Sequence, residues 1–173
     1  MNMKILILNG SPHSNGNTKA LVDAFSKGAQ SAGHEVVERG VGSMNIRPCL
    51  GCEYCHTKGE GKCVQKDDME KVYPDLSSAE MVVFASPVHY FAFSGQLQSV
   101  ITRFYAPFKP KATKYAMILS SMSPDVYSGI EGQYKGMVSF FEAEDLGIKK
   151  VYGDGNKAET TLADMEAFGA SIK

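Results

Sequence analysis

All four cysteines of the chain fall in one short segment. Cys49, Cys52 and Cys55 repeat the spacing C-x2-C-x2-C, and Cys63 follows after seven more residues. Thiolates are ligands of iron–sulfur clusters and of zinc, and four thiols this close together can wrap one compact [4Fe–4S] cluster. A disulfide framework normally spreads its cysteines along a secreted chain. The segment therefore predicts metal or redox chemistry, or reduced thiols without a ligand.

Other uses of these cysteines have to be weighed. Structural zinc usually takes two C-x2-C pairs separated by a longer loop, which fits the spacing poorly but leaves a zinc site with four thiolate ligands open. Residues 52–56 match the C-x-x-C-H pattern of covalent haem attachment, which we interpret as accidental because no export signal is present. A thioredoxin-like pair would follow the first strand, not the second. The residues alone therefore leave three interpretations open: an iron–sulfur cluster, a zinc site and thiols without a ligand.

A polar segment, Asn9–Thr18, lies between a short apolar run and an amphipathic one. Gly10 and Gly16 permit tight turns, and small polar side chains stand where a helix begins. Exposed amides and the helix dipole form an anion site at such a point. Asn17 replaces the lysine of the Walker pattern, and the glycine spacing is one residue too long. The segment predicts a cradle for one phosphate; a helix cap and turn without a ligand is the alternative.

A second loop, Ser86–Ser94, follows the most apolar run of the chain. A buried isoalloxazine ring needs apolar faces to stack on and backbone groups for its polar edge. Tyr90 and Phe91 can supply the stacking, and the backbone of Pro87–Phe91 the polar contacts. The alternative is that these aromatic residues belong to the core or to an interface. The sequence leaves three roles open for His89: contact with the flavin, contact with a substrate, or exposure on the surface without a ligand.

Short apolar runs alternate with amphipathic ones, as in a parallel sheet covered by helices on both faces. The two most charged runs, the second and the fifth, are expected at the sheet edges. Pro74 is expected to break or kink the weakest helix, Asp68–Ser78. The predicted strands are Lys4–Leu8, Glu35–Val41, Met81–Ala85, Tyr115–Leu119 and Ile148–Tyr152.

Five strands with helices between them leave two common topologies. The dinucleotide pattern G-x-G-x-x-G is absent after the first strand, which favours the flavodoxin-like order 2-1-3-4-5, with its ligand between strands one and three. The loop Ser120–Pro124 after strand four could also border that ligand, but it carries no distinctive motif. We predict an α/β fold, a flavodoxin-like three-layer sandwich with a five-stranded parallel sheet. It forms a single domain over residues 1–173, with a cysteine-rich insertion at about 42–66.

Composition excludes several classes of function. The 173 residues are 43% hydrophobic and 21% charged, with a formal net charge of −1. No basic stripe supports binding to nucleic acid or to a membrane surface. The first apolar run is too short for a signal peptide and no stretch reaches transmembrane length, so a cytoplasmic location is expected.

Taken together, three segments resemble the flavodoxin-like NAD(P)H-dependent FMN reductases, and among them the iron–sulfur flavoproteins. They are GSPHSNGNT at residues 10–18, PCLGCEYCHTKGEGKCVQKDDM at 48–69, and SPVHYF at 86–91 with RFYA at 103–106. They span about the first two thirds of the chain in the order typical of the family. The resemblance implies a flavin enzyme that forms homodimers or homotetramers, with flavins near the subunit interfaces.

The resemblance also implies site residues. The loop around the FMN phosphate maps onto Ser11, His13, Asn15, Asn17 and Thr18. The loop around the isoalloxazine ring maps onto Pro87, Val88, His89, Tyr90 and Phe91. A [4Fe–4S] cluster would be ligated by Cys49, Cys52, Cys55 and Cys63.

Three functional hypotheses follow. The first is an FMN-dependent oxidoreductase that takes electrons from NAD(P)H and passes them to an acceptor; FMN carries the chemistry, so no catalytic acid or base is required. The second is an electron carrier that accepts electrons from ferredoxin through a [4Fe–4S] cluster and passes them to FMN. The third is a binding or structural module with a zinc knuckle and an empty flavin site.

Overall fold

A parallel sheet lies at the centre of the computed structural model, which describes residues 2–107 and 109–173. In these residues the sheet has five strands in the order β2-β1-β3-β4-β5, and each neighbouring pair is parallel. The strands are β1 (Lys4–Asn9), β2 (Glu35–Arg39), β3 (Met81–Pro87), β4 (Lys114–Ser121) and β5 (Glu144–Tyr152). The predicted fold class and strand order are confirmed, and the charged strands β2 and β5 lie at the edges as expected.

Helices cover both faces of the sheet. They are α1 (Asn17–Ser31), α2 (Met69–Ser78), α3 (Gly95–Thr102), α4 (Ser128–Phe140) and α5 (Glu159–Ala170). One apolar cluster joins the sheet to α1 and α5, and the other joins it to α2, α3 and α4. Among the described residues, no helix combines the length and the apolar character needed to cross a membrane.

The central strands are buried because both of their faces are covered. On β1, Leu6 and Leu8 pack into the cluster with α2–α4, whereas Ile5 and Ile7 pack into the cluster with α1 and α5. All four side chains are fully buried. This alternation follows from the two-residue period of a strand, and it explains why the sequence of β1 is apolar at consecutive positions.

The structure extends β5 back to Glu144, four residues before its predicted start, and corrects two further details of the sequence prediction. Val41, predicted at the end of β2, begins a short 3-10 turn instead, because β2 ends at Arg39. Pro74 does not break its helix: α2 runs continuously from Met69 to Ser78. Proline in the sixth position removes only the hydrogen bond to the carbonyl of Glu70, and Glu70 is exposed, so water can satisfy that carbonyl.

Helices α1 and α5 approach each other more closely than side chains would allow. A Cβ atom on Gly28 would overlap the backbone carbonyl of Glu166, and one on Gly169 would overlap the carbonyl of Phe25. Two glycines facing each other's helix thus bring the two backbones into contact. This close packing leaves room for only a hydrogen atom as the side chain at both positions.

Replacement of Gly28 by alanine is expected to lower the free energy of unfolding by about 1–3 kcal/mol, because the added methyl group meets backbone that cannot move aside. The matched control is Gly136→Ala in α4, where a Cβ atom would meet nothing within 4 Å. That change should stabilise the protein by about 0.4–1 kcal/mol, because alanine restricts the unfolded chain. Urea denaturation measures the free energy of unfolding of both variants. Equal effects of Gly28→Ala and Gly136→Ala would contradict the close packing of α1 against α5.

Candidate functional site

The carboxyl ends of β1, β3 and β4 converge on one cavity of about 260 Å³, which we call the three-loop cavity. It lies at the point where the strand order reverses, as expected for an open α/β sheet. The loop after each of the three strands contributes to its wall. The lining residues are Ser11, Pro12, His13, Gly16, Asn17, Thr18, Pro87, Val88, His89, Ser120, Ser121 and Met122.

The loop after β1 is held in shape by its own polar groups. The side-chain oxygen of Asn9 accepts a hydrogen bond from the Ser11 amide at 3.0 Å, and the Ser11 hydroxyl accepts one from the His13 amide at 3.2 Å. The Gly16 amide donates to the His13 carbonyl at 3.1 Å. These local bonds are typical of Asx and ST turns and give the loop its curvature without a ligand.

The N-terminus of α1 opens into this loop. Gly16 precedes the helix, and within the described part of the chain no side chain caps the first turn. The first amides of an α-helix lack intrahelical partners and carry the positive end of the helix dipole. Asn17 and Thr18, the first two helical residues, both line the three-loop cavity. This end of the cavity can therefore bind an anion through backbone amides rather than through a charged side chain.

Two hydrogen bonds draw the three loops together. The Thr18 hydroxyl, buried at 1% exposure, lies 2.7 Å from the hydroxyl of Ser120 at the end of β4. The Ser120 carbonyl in turn accepts a hydrogen bond from the Val88 amide at 2.9 Å. Thr18 thus serves to join α1 to β4 as well as to line the cavity.

Ser94, which precedes α3, connects the loops after β1 and β3. Its hydroxyl donates to the Gly10 carbonyl at 2.8 Å and accepts from the Leu97 amide at 3.3 Å, so it caps α3. Its amide donates to the Ser86 hydroxyl at 3.0 Å. Ser94 is fully buried. One side chain therefore sets the position of Gly10 and starts the helix that follows the second loop.

The predicted stacking residues form a strained turn. His89 and Ala92 exchange two backbone hydrogen bonds of 3.0 Å, with Tyr90 at φ 47° and Phe91 at φ 66° between them. Two left-handed residues define a type I′ turn, which normally takes Asn-Gly, so aromatic residues here are strained. Tyr90 is 99% exposed and Phe91 48% exposed. The turn therefore presents both rings to solvent immediately after His89, a cavity residue.

Seven of the ten residues predicted for FMN line the three-loop cavity: Ser11, His13, Asn17, Thr18, Pro87, Val88 and His89. Asn15, Tyr90 and Phe91 are not among its lining residues. Ser120, Ser121 and Met122, at the carboxyl end of β4, also line the cavity; the prediction named the loop Ser120–Pro124 as one that could border the ligand but assigned none of its residues to the site. The only signal for them in the sequence is their position at the carboxyl end of a strand beside the switch point.

The four cysteines line a second, small pocket, which we call the cysteine pocket. Arg103 lies in its wall together with Gln65. Cys55 is the most buried of the four and Cys52 is exposed. Burial raises the pKa of the Cys55 thiol, and negative charge at Cys63 and Cys49 raises that pKa further.

The four cysteine side chains line one pocket, but they are not packed together as the ligands of a metal ion would be. The Cys49 amide donates to the Thr102 hydroxyl at 3.1 Å, which ties the segment to the end of α3. In residues 2–107 and 109–173, however, no three His, Cys, Asp or Glu side chains are grouped closely enough to hold a metal ion. The sequence prediction that these four cysteines share one site is thus compatible with their placement, and the metal itself stays a prediction.

Comparison with known proteins identifies related sequences. The model of the family described as NADPH-dependent FMN reductase matches residues 3–170. An iron–sulfur flavoprotein of Archaeoglobus fulgidus is 37% identical over 101 residues, which cover 58% of this chain and 45% of that protein. YwqN of Bacillus subtilis, whose name describes an NAD(P)H-dependent FMN-containing oxidoreductase, is 25% identical over 99% of this chain and 96% of its own length. The chain spans about half the length of the iron–sulfur flavoproteins that it matches.

Solved structures share the fold. An NAD(P)H:quinone oxidoreductase from Methanothermobacter marburgensis superimposes with a TM-score of 0.76 over the whole of both chains, at 17% identity. An FMN-dependent NADH-azoreductase from Bacillus anthracis, solved in complex with FMN, has a TM-score of 0.64 at 16% identity and covers 96% of this chain and 94% of its own. At these identities the likeness supports the fold alone.

Replacement of Ser94 by alanine is expected to lower the free energy of unfolding by about 1–3 kcal/mol, because it removes a helix cap and leaves the Gly10 carbonyl without its donor. The matched control is Ser99→Ala, in the same helix, whose hydroxyl donates to the Gly95 carbonyl one turn earlier and has no other hydrogen bond among the described residues. That change should stay within about 0.5 kcal/mol of the unaltered protein. Chemical denaturation followed by circular dichroism measures the free energy of unfolding of both variants. If Ser94→Ala leaves that free energy unchanged, Ser94 does not hold the two loops together.

Proposed function

Because the chain belongs to the NADPH-dependent FMN reductase family, we propose that it binds FMN in the three-loop cavity and oxidises a nicotinamide donor there. The observation that carries the proposal is the meeting of three strand-end loops around an open helix N-terminus. The names of its relatives, which include iron–sulfur flavoproteins and an NAD(P)H-dependent FMN-containing oxidoreductase, support the same class of chemistry. The protein is accordingly a flavin-dependent oxidoreductase.

The phosphate of FMN fits the end of the cavity formed by the loop after β1. Amides at the start of α1 would donate to its oxygens, and the Asn17 side chain would add a further donor. Ser11 and His13 line the same region. No lysine or arginine is among the lining residues, so the oriented dipoles of the first turn would carry most of the binding. Lys157, whose Nζ atom donates to the Asn15 carbonyl of the same loop at 2.9 Å, adds a positive charge beside it.

The isoalloxazine ring fits the side of the cavity formed by Pro87, Val88 and His89. The backbone of this segment would meet the polar edge of the ring, and Val88 would contact one face. Bound FMN would supply the hydride and electron transfer between a nicotinamide and an acceptor, so the chain has to bind, orient and shield the ring. NADH and NADPH are both candidate donors.

The aromatic turn supports a homodimer or homotetramer as the working assembly. Tyr90 and Phe91 are held in a strained turn while exposed to solvent, and isolated strain of this kind persists where it serves a function. We propose that a second subunit packs against these two rings and covers the flavin beside them. The exposed pair supplies apolar contact area where the cavity would otherwise stay open to water.

Replacement of Asn17 by leucine is expected to weaken FMN binding by about tenfold or more, because one hydrogen bond to a charged group contributes about 1.5–3 kcal/mol. Gln30→Leu, an exposed change at the other end of α1, is the control and should leave affinity unchanged. The measurement is quenching of FMN fluorescence on titration with apoprotein.

The flavin absorbance of the unaltered holoprotein should bleach on anaerobic addition of NADPH or NADH. If neither nucleotide bleaches it, the proposed activity is contradicted.

A second function is supported by the cysteine pocket: transfer of electrons from ferredoxin through a [4Fe–4S] cluster to FMN. Four thiols in one pocket are a donor set that suits iron–sulfur clusters, and the pocket wall contains the buried cation Arg103, which suits an anionic group. The chemistry of these residues therefore suits a cluster, although their side chains are not grouped as closely as the ligands of a single metal ion. Cys49, Cys52, Cys55 and Cys63 would ligate it, and it would supply one-electron transfer.

Replacement of Cys52 by serine tests this second function. If all four thiols ligate one cluster, iron and acid-labile sulfide should fall strongly in anaerobically purified protein, while FMN content stays unchanged because Cys52 does not line the three-loop cavity. Iron, sulfide and flavin are assayed in the same sample. Loss of FMN together with iron would mean that the segment has a structural role, and zinc in place of iron would support the zinc alternative.

A further inference from the structure

Arg103 is a buried cation with an incomplete set of partners. It is 1% exposed, and its Nη1 atom donates to the Asp67 carboxylate at 2.7 Å and to the Arg47 carbonyl at 2.9 Å. Its Nε and Nη2 atoms are buried and have no hydrogen-bond partner among the described residues. Since guanidinium groups carry five N–H donors, more than half of those of Arg103 are unused. Buried charged donors in native proteins are normally paired.

The unused donors belong to the wall of the cysteine pocket. Arg103 lines that pocket with all four cysteines, and Gln65, whose Oε1 atom is also buried without a partner, lines it too. In the described part of the chain, five buried side-chain polar atoms lack a partner, and three of them belong to these two residues. Such unpaired atoms concentrated at one pocket indicate a group that binds there. For Arg103 that group has to accept hydrogen bonds, and an anion suits it best.

The charges around Arg103 leave room for an anion. Asp67 is 1% exposed at its side chain and already accepts from the Arg47 and Met69 amides, at 3.2 and 3.1 Å, besides Arg103. Burial opposes its charge, but these donors prevail and lower the pKa of Asp67. The Arg47 guanidinium lies 4.0 Å from the same carboxylate. Two arginines thus share one carboxylate.

The other acidic and phenolic groups nearby are committed elsewhere. Glu53 also lines the cysteine pocket, but it is exposed, and both its carboxylate oxygens accept from the Tyr105 hydroxyl at 3.0 Å. The Tyr73 hydroxyl donates to the Arg103 carbonyl at 3.3 Å and also interacts with the guanidinium. Burial raises the pKa of Tyr73 to about 12, so this phenol is neutral and adds no negative charge beside Arg103. Among the described residues, Asp67 thus pairs with one side of the Arg103 guanidinium, while its Nε and Nη2 hydrogens stay without an acceptor.

We propose that Arg103 donates its Nε and Nη2 hydrogens to the sulfur atoms of an anionic [4Fe–4S] cluster held by the four cysteines, and that Asp67 is the positioning residue that aims it. This inference rests on the second proposed function. Hydrogen bonds to sulfur and local charge are the main means by which a protein sets a cluster's reduction potential. Because the reduced cluster carries one more negative charge, Arg103 stabilises the reduced form and raises the potential.

The two residues should act on the potential with opposite signs. Removal of the Arg103 charge disfavours the reduced cluster, so Arg103→Gln lowers the potential. Removal of the Asp67 charge leaves the guanidinium less compensated, so Asp67→Asn raises it. Arg103→Lys keeps the charge but loses the planar pair of donors and should fall between the unaltered protein and Arg103→Gln. A purely structural role would give no such reversal of sign.

The experiment is a redox titration of the cluster by electron paramagnetic resonance, on full-length protein purified without oxygen and reconstituted with iron and sulfide. Arg103→Gln should favour the oxidised cluster by about tenfold, which for a one-electron couple is about 59 mV downward. Asp67→Asn should move the potential upward. Asp75→Asn, which removes another carboxylate held by two cations but outside the cysteine pocket, is the control and should cause no shift.

Iron, sulfide and FMN contents distinguish the possible failures. If the unaltered protein takes up no cluster while FMN is bound, the second proposed function fails and this inference fails with it. If the cluster forms but Arg103→Gln and Asp67→Asn shift its potential in the same direction or leave it unchanged, the inference alone is wrong. If Arg103→Gln does not fold, the other two variants test the inference. Asp67→Asn should raise the reduction potential of the cluster, and Arg103→Lys should lower it.

Discussion

The hydrogen bond from the Ser94 hydroxyl to the Gly10 carbonyl is the contact on which the rest of the site depends. It joins the loop after β1 to the loop after β3, the two loops that flank the switch point of the sheet. The same oxygen caps α3, so the helix begins where the loops are fastened. With eight residues, α3 is about 12 Å long. The hydroxyl of its last residue, Thr102, accepts a hydrogen bond from the Cys49 amide. One short helix therefore connects the three-loop cavity with the cysteine pocket.

The two sites use different electrostatics. The three-loop cavity is lined by hydroxyls, amides, apolar groups and two imidazoles, and the backbone dipoles at the start of α1 attract an anion. The cysteine pocket has a full charge in its wall, the Arg103 guanidinium, fixed by the buried carboxylate of Asp67. Dipoles suit a ligand with a permanently charged phosphate, because they position it without changing charge themselves. A fixed cation suits a group whose own charge changes by one.

Rigid and strained parts of the chain are placed side by side at the cavity. The buried strands supply the rigid part, with side chains of β1 packed on both faces. The strained part is the turn at Tyr90 and Phe91, whose backbone adopts left-handed angles that aromatic residues disfavour. Helix α4 supports this turn, since Gly129 lies directly against the Phe91 carbonyl and has no room for a Cβ atom. The rest of the fold thus stabilises a local conformation that short-range preferences would not select.

The sequence alone determined the class of fold, the strand order and most of the residues of the three-loop cavity. It could do so because buried parallel strands are apolar at consecutive positions, and because Ser11, Asn17 and Thr18 lie between a strand and a helix, where local chemistry decides the structure. It was wrong about a break at Pro74, because the cost of one lost hydrogen bond depends on the exposure of the carbonyl that loses it. It named the loop Ser120–Pro124 but assigned none of its residues to the site, because they carry no motif, and it assigned no role to Arg103. Those residues acquire their roles only when the tertiary structure brings distant segments together: β4 beside β3, and Arg103 against Asp67, 36 positions earlier in the chain. Periodicity and short motifs encode local structure, whereas burial and charge compensation depend on contacts between segments far apart in sequence, and the tertiary structure alone decided them.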